Sequence, residues 1–118
     1  KTVWHENGQK KAETMFKDRK RYGMITMWHT NGQKKGEFHY QNGKEHGTTK
    51  MWHANGQKMA EANYENGKKN GLTVFWYNDG QKKAEIHYKN GILDGLKTTW
   101  NEDGQMLAEQ SYEDGELK

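Results

Sequence analysis

The sequence predicts an all-β protein: an elongated, single-layer antiparallel meander built from five hairpin repeats of 24 residues. Three observations predict it. Trp4, Trp28, Trp52, Trp76 and Trp100 are every tryptophan in the chain, and each lies 24 residues after the last. A fixed period of this size is the signature of a repeat architecture. Asn-Gly or Asp-Gly recurs at two places in the period, and this dipeptide is the strongest short-range hairpin signal because both residues tolerate the positive φ of a tight turn. Finally, no segment carries the i, i+3, i+4 apolar pattern of a helix over a useful length.

The elements follow in chain order. The first copy opens at Trp4 and makes its first turn at Asn7-Gly8. Its second turn is Asp18-Arg19, inside the basic run 17–21, so that hairpin is expected to be the least regular. The second, third and fourth copies turn first at Asn31-Gly32, Asn55-Gly56 and Asp79-Gly80, and then at Asn42-Gly43, Asn66-Gly67 and Asn90-Gly91. In the central copy the strands are expected at 58–64 and 69–76, and the whole chain should hold roughly nine or ten strands. A third glycine phase, Gly23, Gly47, Gly71 and Gly95, falls inside a strand. Glycine there marks a bulge, a bend or a close approach, and one per repeat should curve the sheet. The fifth copy stops at Glu116-Leu117-Lys118, which fits either a short edge strand or a longer natural chain. The sequence thus reads as one repeat domain over 1–118, with its last copy incomplete.

Register depends on the turn. A three-residue loop Glu65-Asn66-Gly67, a type I turn with a G1 bulge, pairs Tyr64 with Lys68. Trp52, Ala60, Ala62, Tyr64, Leu72, Val74 and Trp76 then share one face. A two-residue type I′ loop pairs Glu65 with Lys68 and separates the tyrosines from the tryptophans. Apolar segregation favours the first, because a one-residue slip turns a whole strand over.

Composition sets the limits. The 118 residues are 31% apolar and 30% charged, with 14 aromatics, so rows of aromatics must stand in for a thick core. A net charge of +3 from 19 Lys and Arg against 16 Asp and Glu argues for solubility more than for a polyanion partner. With no cysteine there is no disulfide or thiolate site, and no apolar run approaches the roughly 20 residues of a membrane helix. The chain starts Lys1-Thr2 and reads as a trimmed or mature fragment, which leaves its localisation open: cytoplasmic, or secreted or surface for a piece of a larger repeat protein.

The phrase Tyr64-x-Asn-Gly67-x-x-x-Gly71-x-x-x-x-Trp76-x-x-Asp-Gly80-Gln resembles the MORN repeat, in the variant form of the bacterial YwqK-like antitoxin family. It recurs at 40–57 and 88–105 and degenerates at 16–33, so the resemblance spans essentially the whole chain. It implies a single-layer sheet with an aromatic groove, a role in protein–protein interaction, an antitoxin or immunity function in some members, and phospholipid binding as proposed for eukaryotic relatives. It transfers no catalytic residue.

The candidate binding groove is the aromatic ladder Trp28, Tyr40, Trp52, Tyr64, Trp76, Tyr88 and Trp100. These residues are first the core of the sheet. A single layer cannot cover its own apolar face, however, and such patches and residue types mark interaction surfaces. His5, His29 and His53 share one phase, but a repeat of two strands holds them about 9.6 Å apart, too far for common ligation of zinc, so they read as surface histidines. Glu13, Glu37, Glu61, Glu85 and Glu109 share another phase. A catalytic pair needs two unlike environments, which a repeat does not supply. They are expected instead to pair across strands with the lysine stripe Lys10-Lys11, Lys34-Lys35 and Lys82-Lys83. Interleaved glutamates also count against nucleic acid, and no phosphate loop or nucleophile is present.

No catalytic residue, metal or cofactor is expected. The sequence reads first as a non-catalytic protein-binding module, most specifically an antitoxin that masks a toxin partner. The second reading is a structural or adhesive segment of a larger bacterial protein, self-associating through an uncovered face or edge. Membrane-surface binding ranks third, because anionic lipid attracts clustered rather than interspersed lysines.

Overall fold

A computed structural model describes all of residues 1–118. Its strands are β1 (Thr2–Trp4), β2 (Lys10–Glu13), β3 (Phe16–Lys17), β4 (Lys20–Arg21), β5 (Gly23–Trp28), β6 (Lys34–Gln41), β7 (Lys44–Glu45), β8 (Gly47–Trp52), β9 (Lys58–Glu65), β10 (Lys68–Lys69), β11 (Gly71–Trp76), β12 (Lys82–Lys89), β13 (Ile92–Trp100), β14 (Met106–Glu113) and β15 (Glu116–Leu117). Thirteen of them form one antiparallel sheet, along the path β1-β2-β5-β6-β8-β9-β11-β12-β13-β14-β15. That path has eleven strands rather than nine or ten, because the short segments β1 and β15 also pair. The pair β3–β4 stands as a separate two-stranded sheet, which is the irregularity expected around Asp18-Arg19.

The molecule measures 47 × 35 × 15 Å. Stacked sheets need about 10 Å between them before their outer side chains are counted, so the short dimension holds one layer only. Only 10 of 118 residues are buried, among them Ile25, Ala60, Ala62, Ala84 and Ile86.

The two Asn-Gly phases adopt different turns, and this overturns the single-face arrangement. At the first phase, His53 N donates to Gln57 O (2.7 Å), Gly56 N donates to His53 O (2.9 Å), and Gly56 has φ 89. That is the three-residue loop with a G1 bulge. At the second phase Glu65 pairs with Lys68, and both Asn66 (φ 52) and Gly67 (φ 83) are left-handed. That is the two-residue type I′ turn, whose twist matches the strands it joins. In consequence Tyr64, Ala62 and Ala60 lie opposite Gly47, Thr49 and Met51, while Trp52 alternates to the other face. Likewise Thr73 and Phe75 pair with Ile86 and Ala84, leaving Leu72, Val74 and Trp76 on the tryptophan side.

The third glycine phase is a bulge. Tyr88 faces Leu93 and Ile86 faces Lys97, so Asp94, Gly95 and Leu96 oppose His87 alone. Gly95 has φ 108, a region closed to most L-residues, and His87 Nδ1 donates to Leu96 O (2.9 Å) to hold the kink.

Candidate binding interface

The sheet presents two unlike faces, and each takes its aromatics from a different strand of the hairpin. Tyr40, Tyr64 and Tyr88 project on one side, flanked by the buried alanines and by Ile86, Thr49 and Thr73. Trp28, Trp52, Trp76 and Trp100 project on the other. All seven candidate groove residues are half-buried, which suits residues that are at once core and surface. The structure does not bring them into one groove. It makes two parallel ladders, one on each face.

The tryptophan face is electrostatically closed. Lys10, Lys34, Lys58 and Lys82 pair with Glu13, Glu37, Glu61 and Glu85 at 2.6, 2.7, 2.9 and 3.3 Å. These pairs lie along one strand and not across strands as expected. A bulge at the intervening residue, Met59 in the central copy, shifts the pairing between Met51 and Trp52 and brings i and i+3 to the same side. The same lysines also cover tryptophans of the following repeat, Lys10 above Trp28 and Lys58 above Trp76, each at 5.7 Å.

The tyrosine face is open. Arg21 lies 5.6 Å above the Tyr40 ring, Lys69 5.1 Å above Tyr88, and Lys83 5.6 Å above Tyr77. None of these cations has a carboxylate within salt-bridge distance. A cavity of about 380 Å³ opens beside Lys83, lined chiefly by Met51, Met59, Phe75 and Tyr77. Met59 stands where three other copies have Lys11, Lys35 and Lys83, and Phe75 where two others have Met27 and Met51. The internal register of the repeats is the signal that could have found this cavity. Burial raises the Tyr64 phenol pKa above 10.0, and Glu45, Tyr40 and Tyr88 add to the shift.

The histidines are structural rather than free surface groups. His5, His29 and His53 each donate Nε2–H to the carbonyl of Trp28, Trp52 and Trp76, at 2.9 Å in every case. A carbonyl can only accept, so Nε2 must carry the proton. In the next copy Tyr77 takes over, its hydroxyl donating to Trp100 O at 2.8 Å. Beside them Asn7, Asn31 and Asn55 donate Nδ2–H to Thr30, Ala54 and Asn78 carbonyls at 2.7, 2.7 and 2.6 Å. These links tie the first-phase turns together along one edge of the sheet. Along the other edge, Gly43, Gly67, Gly91 and Gly115 donate N–H to the carbonyls of Arg21, Glu45, Lys69 and Leu93.

A protein-family model described as a MORN repeat variant matches residues 1–18, 21–42, 45–66, 69–90 and 93–117. Each internal match is one hairpin cut at the type I′ turns, starting seven residues before the tryptophan of its copy. No curated protein matches the chain.

Proposed function

The chain belongs to the MORN repeat variant family, whose repeats are non-catalytic modules that bind proteins or membranes, and on that premise we propose that it is a protein-binding domain over 1–118 that masks a toxin partner. One observation carries the reading: a one-layer sheet with only 10 of 118 residues buried leaves two aromatic ladders half-covered. Masking by such a surface is steric. Aromatic anchors supply the affinity and charge selects the partner.

The tyrosine face is the better docking side. Its Arg21, Lys69 and Lys83 are free to meet partner carboxylates, whereas Lys10, Lys34, Lys58 and Lys82 on the tryptophan face are already occupied by glutamates. The same occupation weakens the lipid-surface reading, which needs a field of unneutralised lysines. The test is co-expression with the product of the adjacent reading frame, scoring growth and copurification. Growth rescue that is lost in Tyr64→Ala and kept in Trp100→Ala is the expected result. A neighbour that is neither toxic nor copurified overturns the antitoxin reading.

A further inference from the structure

In a repeat protein a departure from the repeat is informative, because the other copies show what the scaffold alone requires at that position. Three departures meet at one place, the cavity of about 380 Å³ beside Lys83. Met59 replaces a lysine, Phe75 takes the place of Met27 and Met51, and Tyr77 that of His5, His29 and His53. One repeat earlier the same three positions hold Lys35, Met51 and His53; one repeat later they hold Lys83, Thr99 and Asn101. Of these three sets the central one alone is wholly apolar or aromatic.

Register explains the hollow. Met51 pairs with Ala60 and Ala60 with Phe75, so a buried alanine sits between two longer side chains on the tyrosine face. Met59, at the bulge beside Ala60, adds a third apolar wall and Tyr77 an aromatic one. The surrounding turns are pinned, since the Tyr77 hydroxyl donates to Trp100 O (2.8 Å) and His53 Nε2 to Trp76 O (2.9 Å). Small-molecule sites are hollows of about 300–1,000 Å³, mostly apolar, with a few placed polar groups. This one fits, and a preformed site costs little to organise.

Two exposed charged residues line the same cavity, Lys83 and Glu102. Neither forms an ion pair, with the other or with any residue of the chain. Tyr77 links them: Lys83 Nζ lies 5.6 Å from its ring centroid, and its hydroxyl meets the Trp100 carbonyl two residues before Glu102. The rim thus offers one unused cation and one unused anion above an apolar floor.

We propose that this cavity binds a free α-amino acid with an apolar side chain, its carboxylate at Lys83, its ammonium at Glu102 and its side chain against Met51, Met59 and Phe75. Such a ligand carries both charges on one carbon, so a single small molecule satisfies the whole rim. A simple apolar acid would meet Lys83 but leave Glu102 facing a like charge. The floor suits phenylalanine or methionine, through ring–ring and sulfur–ring contacts. The ligand comes from solution, so the site does not rest on a protein docking on this face.

The experiment is a titration of the 118-residue chain with L-phenylalanine, followed by amide NMR shifts. Saturable shifts at Met59, Phe75 and Tyr77, with a dissociation constant of about 0.1–1 mM, are the expected result for a ligand of about a dozen non-hydrogen atoms. L-Phenylalaninamide lacks the carboxylate and N-acetyl-L-phenylalanine the ammonium, and each should bind about threefold more weakly. Glu102→Gln should weaken L-phenylalanine by a similar factor yet leave N-acetyl-L-phenylalanine unchanged, because the two changes remove the same contact. Met59→Lys restores the residue of three other copies, so it should melt like the parent while binding about tenfold more weakly. No saturation by about 10 mM, an amide bound as tightly as the acid, or parental affinity in a folded Met59→Lys overturns the proposal. Growth rescue and copurification test partner masking separately, whichever way the titration falls.

Discussion

Thr73 and Thr49 occupy the same phase of adjacent repeats and the same face, so Thr→Val at the two sites is one chemical change in two environments. Thr49 Oγ1 donates to Glu45 Oε1 at 3.1 Å. Twenty-four residues on, Glu45 is replaced by Lys69, which cannot accept, and Lys69 Nζ lies over the Tyr88 and Phe75 rings instead. Thr73 is therefore 1% exposed with a hydroxyl that has no hydrogen-bond partner. A buried unsatisfied hydroxyl costs about 1–3 kcal/mol, whereas a hydrogen bond already made contributes about 0.5–1.5 kcal/mol net. Thr73→Val should accordingly stabilise by about 1 kcal/mol, and Thr49→Val should destabilise by about as much. In a chain of this size each corresponds to about 3–6 °C in melting temperature, in opposite directions. Urea unfolding followed by both circular dichroism and tryptophan fluorescence measures the difference and tests for a single transition. Lys69→Glu supplies the missing acceptor, so in that background the gain from Thr73→Val should disappear. Equal losses at both sites, or a gain at Thr73 unchanged by Lys69→Glu, would refute the assignment of a partnerless hydroxyl.

Other measurements bear on other parts of the molecule. His53→Ala and Tyr77→Phe each remove one link to the next repeat, at Trp76 O and Trp100 O, and each should cost about 1 kcal/mol in denaturant unfolding; no change would make those contacts incidental. Asn66→Ala puts at φ 52 a residue without the short polar side chain that lets Asn tolerate the left-handed region, and should cost about 1 kcal/mol, while Arg19→Gly, at φ 67, should gain about 0.4–1 kcal/mol. Tyr64 is held protonated by the fold, since its pKa is raised above 10.0, first by burial. Its contribution to stability is complete below that value and is lost as pH rises through the folded pKa. Tyr64→Phe should therefore flatten the fall in stability from about pH 9 to pH 12; parallel curves for the two proteins would count against the shift.

Much of this was legible because glycine punctuation and tryptophan spacing act locally. The strand order, the turn positions, the bulge at Gly47, Gly71 and Gly95, and the irregular hairpin at Asp18-Arg19 all follow from backbone conformations that few residues can take. The aromatic residues of the candidate surface were legible too, since half-buried Tyr and Trp are what a thin sheet requires. Their grouping was not. It rests on the type I′ turn at Asn66-Gly67, which turns the tyrosines away from the tryptophans. The Lys58–Glu61 pairing was hidden for the same reason, because the intervening bulge changes parity within the strand.

The sequence alone therefore determined a five-copy antiparallel ladder with its turns in place, because φ > 0 is a property of single residues. Asn-Gly satisfies either of two turns, and nothing local chooses between them. Only the tertiary structure decided. At Asn55-Gly56 the asparagine keeps negative φ, its Oδ1 accepts from Gln57 N at 2.9 Å, and its Nδ2 reaches the Asn78 carbonyl of the next repeat. At Asn66-Gly67 no such side-chain link forms, and the neighbouring turn is held by Gly67 N donating to Glu45 O at 2.8 Å. Contacts between repeats thus select the turn, the turn sets the parity, and parity decides which aromatics face a partner together.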